Sequence, residues 1–180
     1  MINRERLATL RAKEDARFLE LHPKSGELFK AGQKNMPGGV PMSWMAKWPG
    51  AYPVFVKEAK GARFSDVDGN TYIDFCLGDT GSMTGHSPDA TVAAIREQVG
   101  KGITAMLPTA DAAIVSAELA ARFGLPLWQF TVSATDANRH VIRYSRMITQ
   151  RSKIVVIDRC YHGSVDETFA TLDAAGNTVA

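Results

Sequence analysis

Apolar positions along the chain change their spacing several times, and each change marks an element. Residues 2–21 place Leu7, Leu10, Phe18 and Leu21 among charged neighbours, which predicts an amphipathic helix. His22-Pro23 interrupts it, because proline disfavours a helical conformation in the residue before it. A second helical stretch over 25–34 ends at Asn35-Met36-Pro37-Gly38-Gly39, a strong breaker. Residues 40–53, with Trp44, Trp48 and three prolines, read as irregular. Short strands are predicted over 54–57, 62–66 and 71–75, the last two joined by an Asp68-Gly69-Asn70 turn. A loop rich in Gly, Ser and Thr covers 78–87. Helices follow over 88–99, with Val92, Ile95 and Val99 on one face, and over 109–123, closed by Gly124 and Pro126.

The last third has a strand–helix–strand pattern. Residues 127–132 read as a strand. Residues 134–150 form a helix with Ala137, Val141, Tyr144 and Ile148 along one stripe, and 153–157 is a strand that is apolar after its first residue. Such a unit predicts two parallel strands joined by a right-handed crossover. The fold class is therefore α/β: an N-terminal helical and β-meander segment over 1–75, then the opening of a doubly wound sheet over 76–180.

Composition narrows the function without identifying it. The 180 residues are 45% hydrophobic and 22% charged, an ordinary globular profile. A net charge of +2 gives no basis for nucleic-acid binding. The charged N-terminus is not a signal peptide, and no stretch has the apolar length of a membrane span. Two cysteines, Cys76 and Cys160, stand far apart in no metal-like spacing, so a cytoplasmic setting is expected.

Two short segments carry the candidate chemistry. Ser133-Ala134-Thr135-Asp136 sits where a strand gives way to a helix. The first amides of a helix lack partners and its dipole favours an anion, so this turn, with two hydroxyls, can hold a phosphate. Plain N-capping accounts for the same residues. Tyr161-His162-Gly163 follows the next strand. If the strands are parallel, both turns lie on one rim, where an aromatic ring can stack on a planar ligand whose phosphate the helix terminus holds. A tyrosine packed at a domain edge beside a hydrogen-bonded histidine is the alternative.

Other candidates have simpler explanations. Cys160 reads as a buried strand-end thiol and His86 as a hydrogen-bonded loop histidine. Asp66, Asp68 and Asp74 suit turn and strand-edge roles and fit no calcium loop. Trp44 and Trp48 suit core or interface packing.

Several segments in order resemble the class III, glutamate-1-semialdehyde aminomutase-like branch of fold-type I pyridoxal-phosphate enzymes. They are MPGGV (36–40), DVDGNTYIDF (66–75), GH (85–86), SATDAN (133–138) and KIVVIDRCYHG (153–163). The resemblance runs from about residue 30 to the end of the chain. It implies an incomplete fold-type I transferase, with 1–75 in the small domain and 76–180 the first part of the large cofactor-binding domain. It also implies pyridoxal 5'-phosphate as cofactor, with Ser133, Ala134 and Thr135 cradling the phosphate. Tyr161 would stack on the pyridine ring, and His162 and Gly163 would shape the same wall. Trp44, Asp79 and Thr80 would lie toward the substrate. The expected activity is aminotransfer between a small-molecule amino donor and a carbonyl acceptor in a homodimer, with no nucleic acid, membrane or metal involved. An aminomutase or racemase using the same cofactor, and a non-catalytic relative serving as a binding module, stay open. An unrelated nucleotide-binding domain would need a glycine-rich phosphate loop that this sequence lacks.

The chain departs from the family pattern at informative places. Ala134 stands where the family has glycine: it costs roughly 1 kcal/mol if that residue takes positive φ, and crowds the phosphate if the glycine is needed only for close approach. Met45 stands where the aminomutases place an arginine for the substrate carboxylate, and Asp79 where an aromatic is common. These move the expected substrate away from glutamate-1-semialdehyde. Asp79 suits pairing with a cation of the partner subunit, or an amine-bearing substrate. Schiff-base chemistry needs a desolvated lysine. The nine lysines (13, 24, 30, 34, 47, 57, 60, 101 and 153) lie in surface-like elements or, for Lys153, on the opposite rim. By the resemblance, that lysine and the aspartate for the pyridine nitrogen lie downstream, so the 180-residue chain alone is expected to be inactive.

Overall fold

An asparagine starts the first helix of the structure, a computed structural model that describes residues 3–179. Asn3 accepts a hydrogen bond from the Arg6 amide (2.9 Å) and caps α1 (Arg4–Leu21). His22 breaks the helix at φ −129°, as the following proline requires, and Pro23 opens α2 (Pro23–Gly32) at its first position. α2 thus begins two residues earlier than the polarity pattern suggests. The chain leaves α2 through Gly38 and Gly39, both at positive φ. A Cβ on Gly39 would lie 2.9 Å from the Phe29 carbonyl oxygen. Two 3₁₀ turns, Pro37–Gly39 and Ser43–Lys47, lie in and after this breaker, giving local order to part of the segment read as irregular.

Three antiparallel strands follow in the order β1 (Val56–Lys60), β2 (Arg63–Asp66) and β3 (Thr71–Ile73). Phe64 pairs with Tyr72 across β2 and β3, and their rings stack at 4.9 Å. The turn between these strands is built around one carboxylate. Asp66, with 0% exposure, accepts from the amides of Asp68 (3.0 Å) and Asn70 (2.8 Å), the Asn70 side chain (3.0 Å) and the Tyr72 hydroxyl (2.9 Å). The turn is also tied to the helices. Asp68 accepts from the amides of Lys24 (2.7 Å) and Ser25 (3.1 Å) and from the Ser25 hydroxyl (2.7 Å), capping α2 from a distant part of the chain. The Asn70 side chain also donates, through Nδ2, to the Leu21 carbonyl (2.9 Å). His22 Nδ1 donates to the Phe18 carbonyl (2.7 Å), and Nε2 lies 2.6 Å from the Tyr72 hydroxyl. Residues up to Thr104 form one compact unit, which ends with α3 (Asp89–Val99).

A second unit starts at Ala105. It holds α4 (Ala110–Phe123), closed by Gly124, and α5 (Ala134–Thr149), closed by Gln150 in a left-handed conformation. A 3₁₀ turn (Asp166–Thr168) and a two-stranded antiparallel hairpin, β4 (Thr171–Leu172) and β5 (Thr178–Val179), complete it. Asp173 shapes that hairpin by accepting from the Ala175 and Asn177 amides (2.9 and 2.8 Å).

The expected parallel pair is absent among the described residues. Residues 127–132 and 153–157 form no strand, and both sheets are antiparallel. An extended segment becomes a strand only by pairing its amides and carbonyls with a neighbour. These two do not pair with each other or with any other described segment. Val132 is 100% exposed and Val155 96%. The predicted stripes of α1 and α5 are also largely uncovered: Leu7, Leu10, Val141, Tyr144 and Ile148 are exposed, and of the α1 set only Phe18 packs, against His22 and Tyr52. Among the described residues, Val40 and Val165 are the buried apolar side chains.

Burial disfavours the charged form of Asp66, but the hydrogen bonds from Asn70, Tyr72 and Asp68 outweigh it and hold its carboxyl below the ordinary value. Burial and the adjacent Asp66 carboxylate push the Tyr72 hydroxyl up to about 12. Replacing Asp66 by alanine strands several buried donors and is expected to destabilise the fold by about 3 kcal/mol, read as a lower urea midpoint. Because its folded pKa is depressed, Asp66 contributes fully above the ordinary carboxylate value of 3.8 and loses that contribution as pH falls through the folded value. Asp66→Asn should therefore flatten the acid limb of a stability–pH curve. An unchanged limb would show that the carboxylate does not govern it.

Candidate functional site

Helix α5 begins at the first candidate segment. Ser133, in an extended conformation, caps it by accepting from the Asp136 amide (3.2 Å). N-capping is thus one function of this serine. It satisfies one of the first amides, while the helical ladder leaves those of Ala134 and Thr135 free. Each hydroxyl also keeps a hydrogen to donate. Ala134 is the first helical residue and is not among the residues with positive φ, so the strain weighed for alanine there does not arise. Asp136 lies 3.9 Å from His140 one turn on, an exposed pair.

The second segment rests directly on the first. The Ser164 amide donates to Thr135 Oγ1 (3.1 Å), and Asn138 Nδ2 donates to the His162 carbonyl (2.8 Å). Gly163, at φ +82°, makes this approach possible, since a Cβ there would lie 2.5 Å from Thr135 Oγ1 and 3.0 Å from Thr135 Cα. The two turns come together although the segments preceding them form no parallel strands; side-chain hydrogen bonds from α5 do the joining. Tyr161 is 78% exposed, with its ring uncovered, and His162 Nε2 is buried without a hydrogen-bond partner. A buried nitrogen without a partner, in a turn bonded to the start of α5, fits a polar group bound in this region.

The remaining candidates fall elsewhere. Trp44, half-exposed in the Ser43–Lys47 turn, and exposed Asp79 and Thr80 lie in the first unit. Trp48 is likewise half-exposed, so neither tryptophan is a core residue. Cys160 is exposed, not buried as expected, because no neighbouring strand covers the end of its segment. Asp158 accepts from the Thr171 hydroxyl (2.7 Å) and the Leu172 amide (3.3 Å), contacts that hold its carboxyl below the ordinary range. All nine lysines are exposed, so none has the desolvated environment a Schiff-base amine needs. Asp66 and Asp68 are spent on turn geometry and capping. Among the described residues, no group of three or more His, Cys, Asp or Glu could hold a metal ion. No helix among them is long and apolar enough to cross a membrane.

Sequence reasoning passed over one tight pair. His86 Nε2 donates to Asp74 Oδ2 (2.6 Å), while Asp74 Oδ1 accepts from the amides of Cys76 (2.8 Å) and Leu77 (2.9 Å). The hydrogen bond from His86 leads the contacts that hold the Asp74 carboxyl below the ordinary range. The signal was an acid and a histidine at either end of a glycine-rich loop.

A model of the class-III aminotransferase family matches residues 44–178. The chain belongs to the class-III aminotransferase family. It is 38% identical over 144 residues to glutamate-1-semialdehyde 2,1-aminomutase of Methanocaldococcus jannaschii, covering 79% of this chain and 33% of that protein. It is 38% identical over 159 residues to the same-named enzyme of Sulfurihydrogenibium azorense, covering 87% and 36%. A crystal structure of a glutamate-1-semialdehyde aminomutase from Pseudomonas aeruginosa PAO1 superposes with a TM-score of 0.92 at 50% identity, covering 99% of this chain and 39% of that one. A further structure from that organism holds PMP. A β-phenylalanine aminotransferase from Variovorax paradoxus gives a TM-score of 0.80 at 28% identity, covering 87% and 36%. The class-III chain spans about a third of the length of the curated relatives it matches. Its fold class is α/β, part of the fold-type I fold of pyridoxal-phosphate-dependent enzymes.

The contact at Gly163 generates a direct test. Gly163→Ala forces a Cβ into Thr135 at a positive φ, so it is expected to cost at least about 1 kcal/mol and to lower the melting temperature. Thr135→Ala in the same molecule removes Oγ1 but not Cα, so the double variant should recover part of the loss. Strict additivity would show that the two turns do not press on each other.

Proposed function

We propose that the whole protein is a pyridoxal-phosphate-dependent aminotransferase that moves an amino group from a small-molecule amino donor to a carbonyl acceptor, working as a homodimer in the cytoplasm. The observation that carries this reading is the joining of the Ser133–Thr135 helix start to the Tyr161–Gly163 turn, a turn in which the Tyr161 ring is exposed and the buried His162 Nε2 has no hydrogen-bond partner. Relatives with PLP or PMP bound support the same cofactor. Residues 1–75 would belong to the small domain and 76–180 to the first part of the large one.

Bound pyridoxal phosphate supplies an electron sink for a carbanion next to the substrate nitrogen. The chain's own residues hold and orient it. The free amides of Ala134 and Thr135 and the hydroxyls of Ser133 and Thr135 donate to the phosphate at the positive end of α5. Tyr161 offers its ring face to the pyridine. His162 adds a polar contact from within the wall, and Gly163 keeps that wall close to α5. Trp44, Asp79 and Thr80 are assigned to substrate recognition, where the Asp79 carboxylate would favour an amine-bearing substrate. The two exposed, unpaired cysteines suit a cytoplasmic setting.

A second reading, internal amino transfer as in an aminomutase, is favoured by the names of the relatives. Met45 and Asp79 in place of the residues the aminomutase pattern expects favour the first.

Full-length protein should show the visible absorbance of bound cofactor, and borohydride should fix that cofactor to the chain on none of the nine lysines present here. Ser133→Ala and Thr135→Ala should each weaken cofactor binding about tenfold or more, as loss of a hydrogen bond to a charged group predicts. A full-length protein that takes up no cofactor would sink the proposal. Turnover of glutamate-1-semialdehyde without an external acceptor would select the second reading over the first.

A further inference from the structure

Four successive residues, Leu77, Gly78, Asp79 and Thr80, have positive φ (56°, 57°, 55° and 71°). Three of them carry side chains that disfavour this conformation, so the turn persists only where its surroundings impose it. The imposing contacts converge on one carboxylate. Asp74 Oδ1 takes the amides of Cys76 and Leu77, where the turn begins. Its Oδ2 takes His86 Nε2, where the loop ends. Both side chains are largely shielded, at 9% and 20% exposure. Both backbones are pinned to the β1–β2 turn: the Asp74 amide donates to the Ala62 carbonyl (2.9 Å), and His86 and Gly61 exchange two hydrogen bonds (2.8 and 2.9 Å). Within the loop, the Ser82 amide closes onto the Leu77 carbonyl (2.8 Å). The pair thus joins the first and last residues of the loop that carries Asp79 and Thr80.

We propose that Asp74 and His86 are positioning residues, whose hydrogen-bonded pair holds residues 77–80 in their left-handed turn and so presents Asp79 and Thr80 to the substrate. The inference rests on the substrate-side role of Asp79 and Thr80 proposed above. Neither Asp74 nor His86 need touch the substrate. A shielded carboxylate with three donors is a fixed point, and the strained turn inherits its geometry from that point.

The test uses the full-length protein with its cofactor and three forms: wild type, His86→Ala and His86→Gln. Hydrogen exchange of peptides spanning residues 76–82 reads the turn itself. His86→Ala should speed it about tenfold, the effect of losing one charge-assisted hydrogen bond, and His86→Gln, whose amide can donate from a similar place, should recover most of the protection. Steady-state kinetics reads the consequence. His86→Ala should raise the KM for the amino substrate about tenfold with kcat changed much less, at unaltered cofactor absorbance, and His86→Gln should restore it. Unchanged exchange in His86→Ala, or a Gln variant no better than Ala, overturns the anchoring. Faster exchange with an unchanged KM overturns the substrate role. If the protein takes up no cofactor, the proposed function fails, and the exchange measurement alone still decides whether the pair holds the turn.

Discussion

A carboxylate with no solvent exposure holds the N-terminal unit together. Asp66 cannot be stable as a buried anion unless donors surround it, and each donor comes from a residue whose position then becomes fixed. The amides of Asp68 and Asn70 set the turn, and the Tyr72 hydroxyl sets β3. Through Tyr72 the network reaches His22 at the junction of α1 and α2, and Asp68 reaches the start of α2 itself. Apolar burial does not take this role, since Val40 is the buried apolar side chain of this unit among the described residues. Helices and sheet are joined by directional polar contacts, which specify geometry more sharply than contact between oily surfaces does.

The second unit uses the same kind of joint where the candidate chemistry lies. Thr135 and Asn138, on the first turns of α5, bond to the backbone of the 161–164 segment, and Gly163 removes the side chain that would separate them. The joint uses one acceptor lone pair of Thr135 Oγ1 and not its hydrogen, and it leaves Tyr161 exposed. If this joint is the cofactor cradle proposed above, its spare donors and uncovered ring would need little reorganisation to accept a phosphorylated aromatic cofactor.

The helices were legible because their signals are local. Charged and apolar residues at helical spacing, a proline after His22, glycines after α2 and α4 and a serine before α5 act within one or two turns, and the observed ends differ from the expected ones by about a turn or less. The two candidate segments, which the structure joins, were legible because a serine-capped helix start and the Tyr161-His162-Gly163 turn are short, distinctive strings. The parallel strands at 127–132 and 153–157 were misread because apolar runs report a preference for burial and extension. A strand also needs a partner, which such a run does not encode. The Asp74–His86 pair was missed for a related reason. Its members stand at opposite ends of a loop, and nothing in the intervening residues announces the positive-φ turn that brings them together.

On the proposed function, cofactor retention and reaction choice would be carried by different segments of this chain. The cradle residues belong to the start of α5 and the 161–164 turn, whereas Trp44, Met45, Asp79 and Thr80 sit in a 3₁₀ turn and a strained loop of the other unit. As proposed, the cradle would answer only to the phosphate and ring, which every reaction of this cofactor shares, so it would have no means of selecting a substrate. The strained loop answers to its own anchors, and its side chains can change without disturbing a single hydrogen bond at α5. Under that proposal, Met45 and Asp79 could differ from the arginine and aromatic of the aminomutase pattern without altering the segments proposed to hold the cofactor.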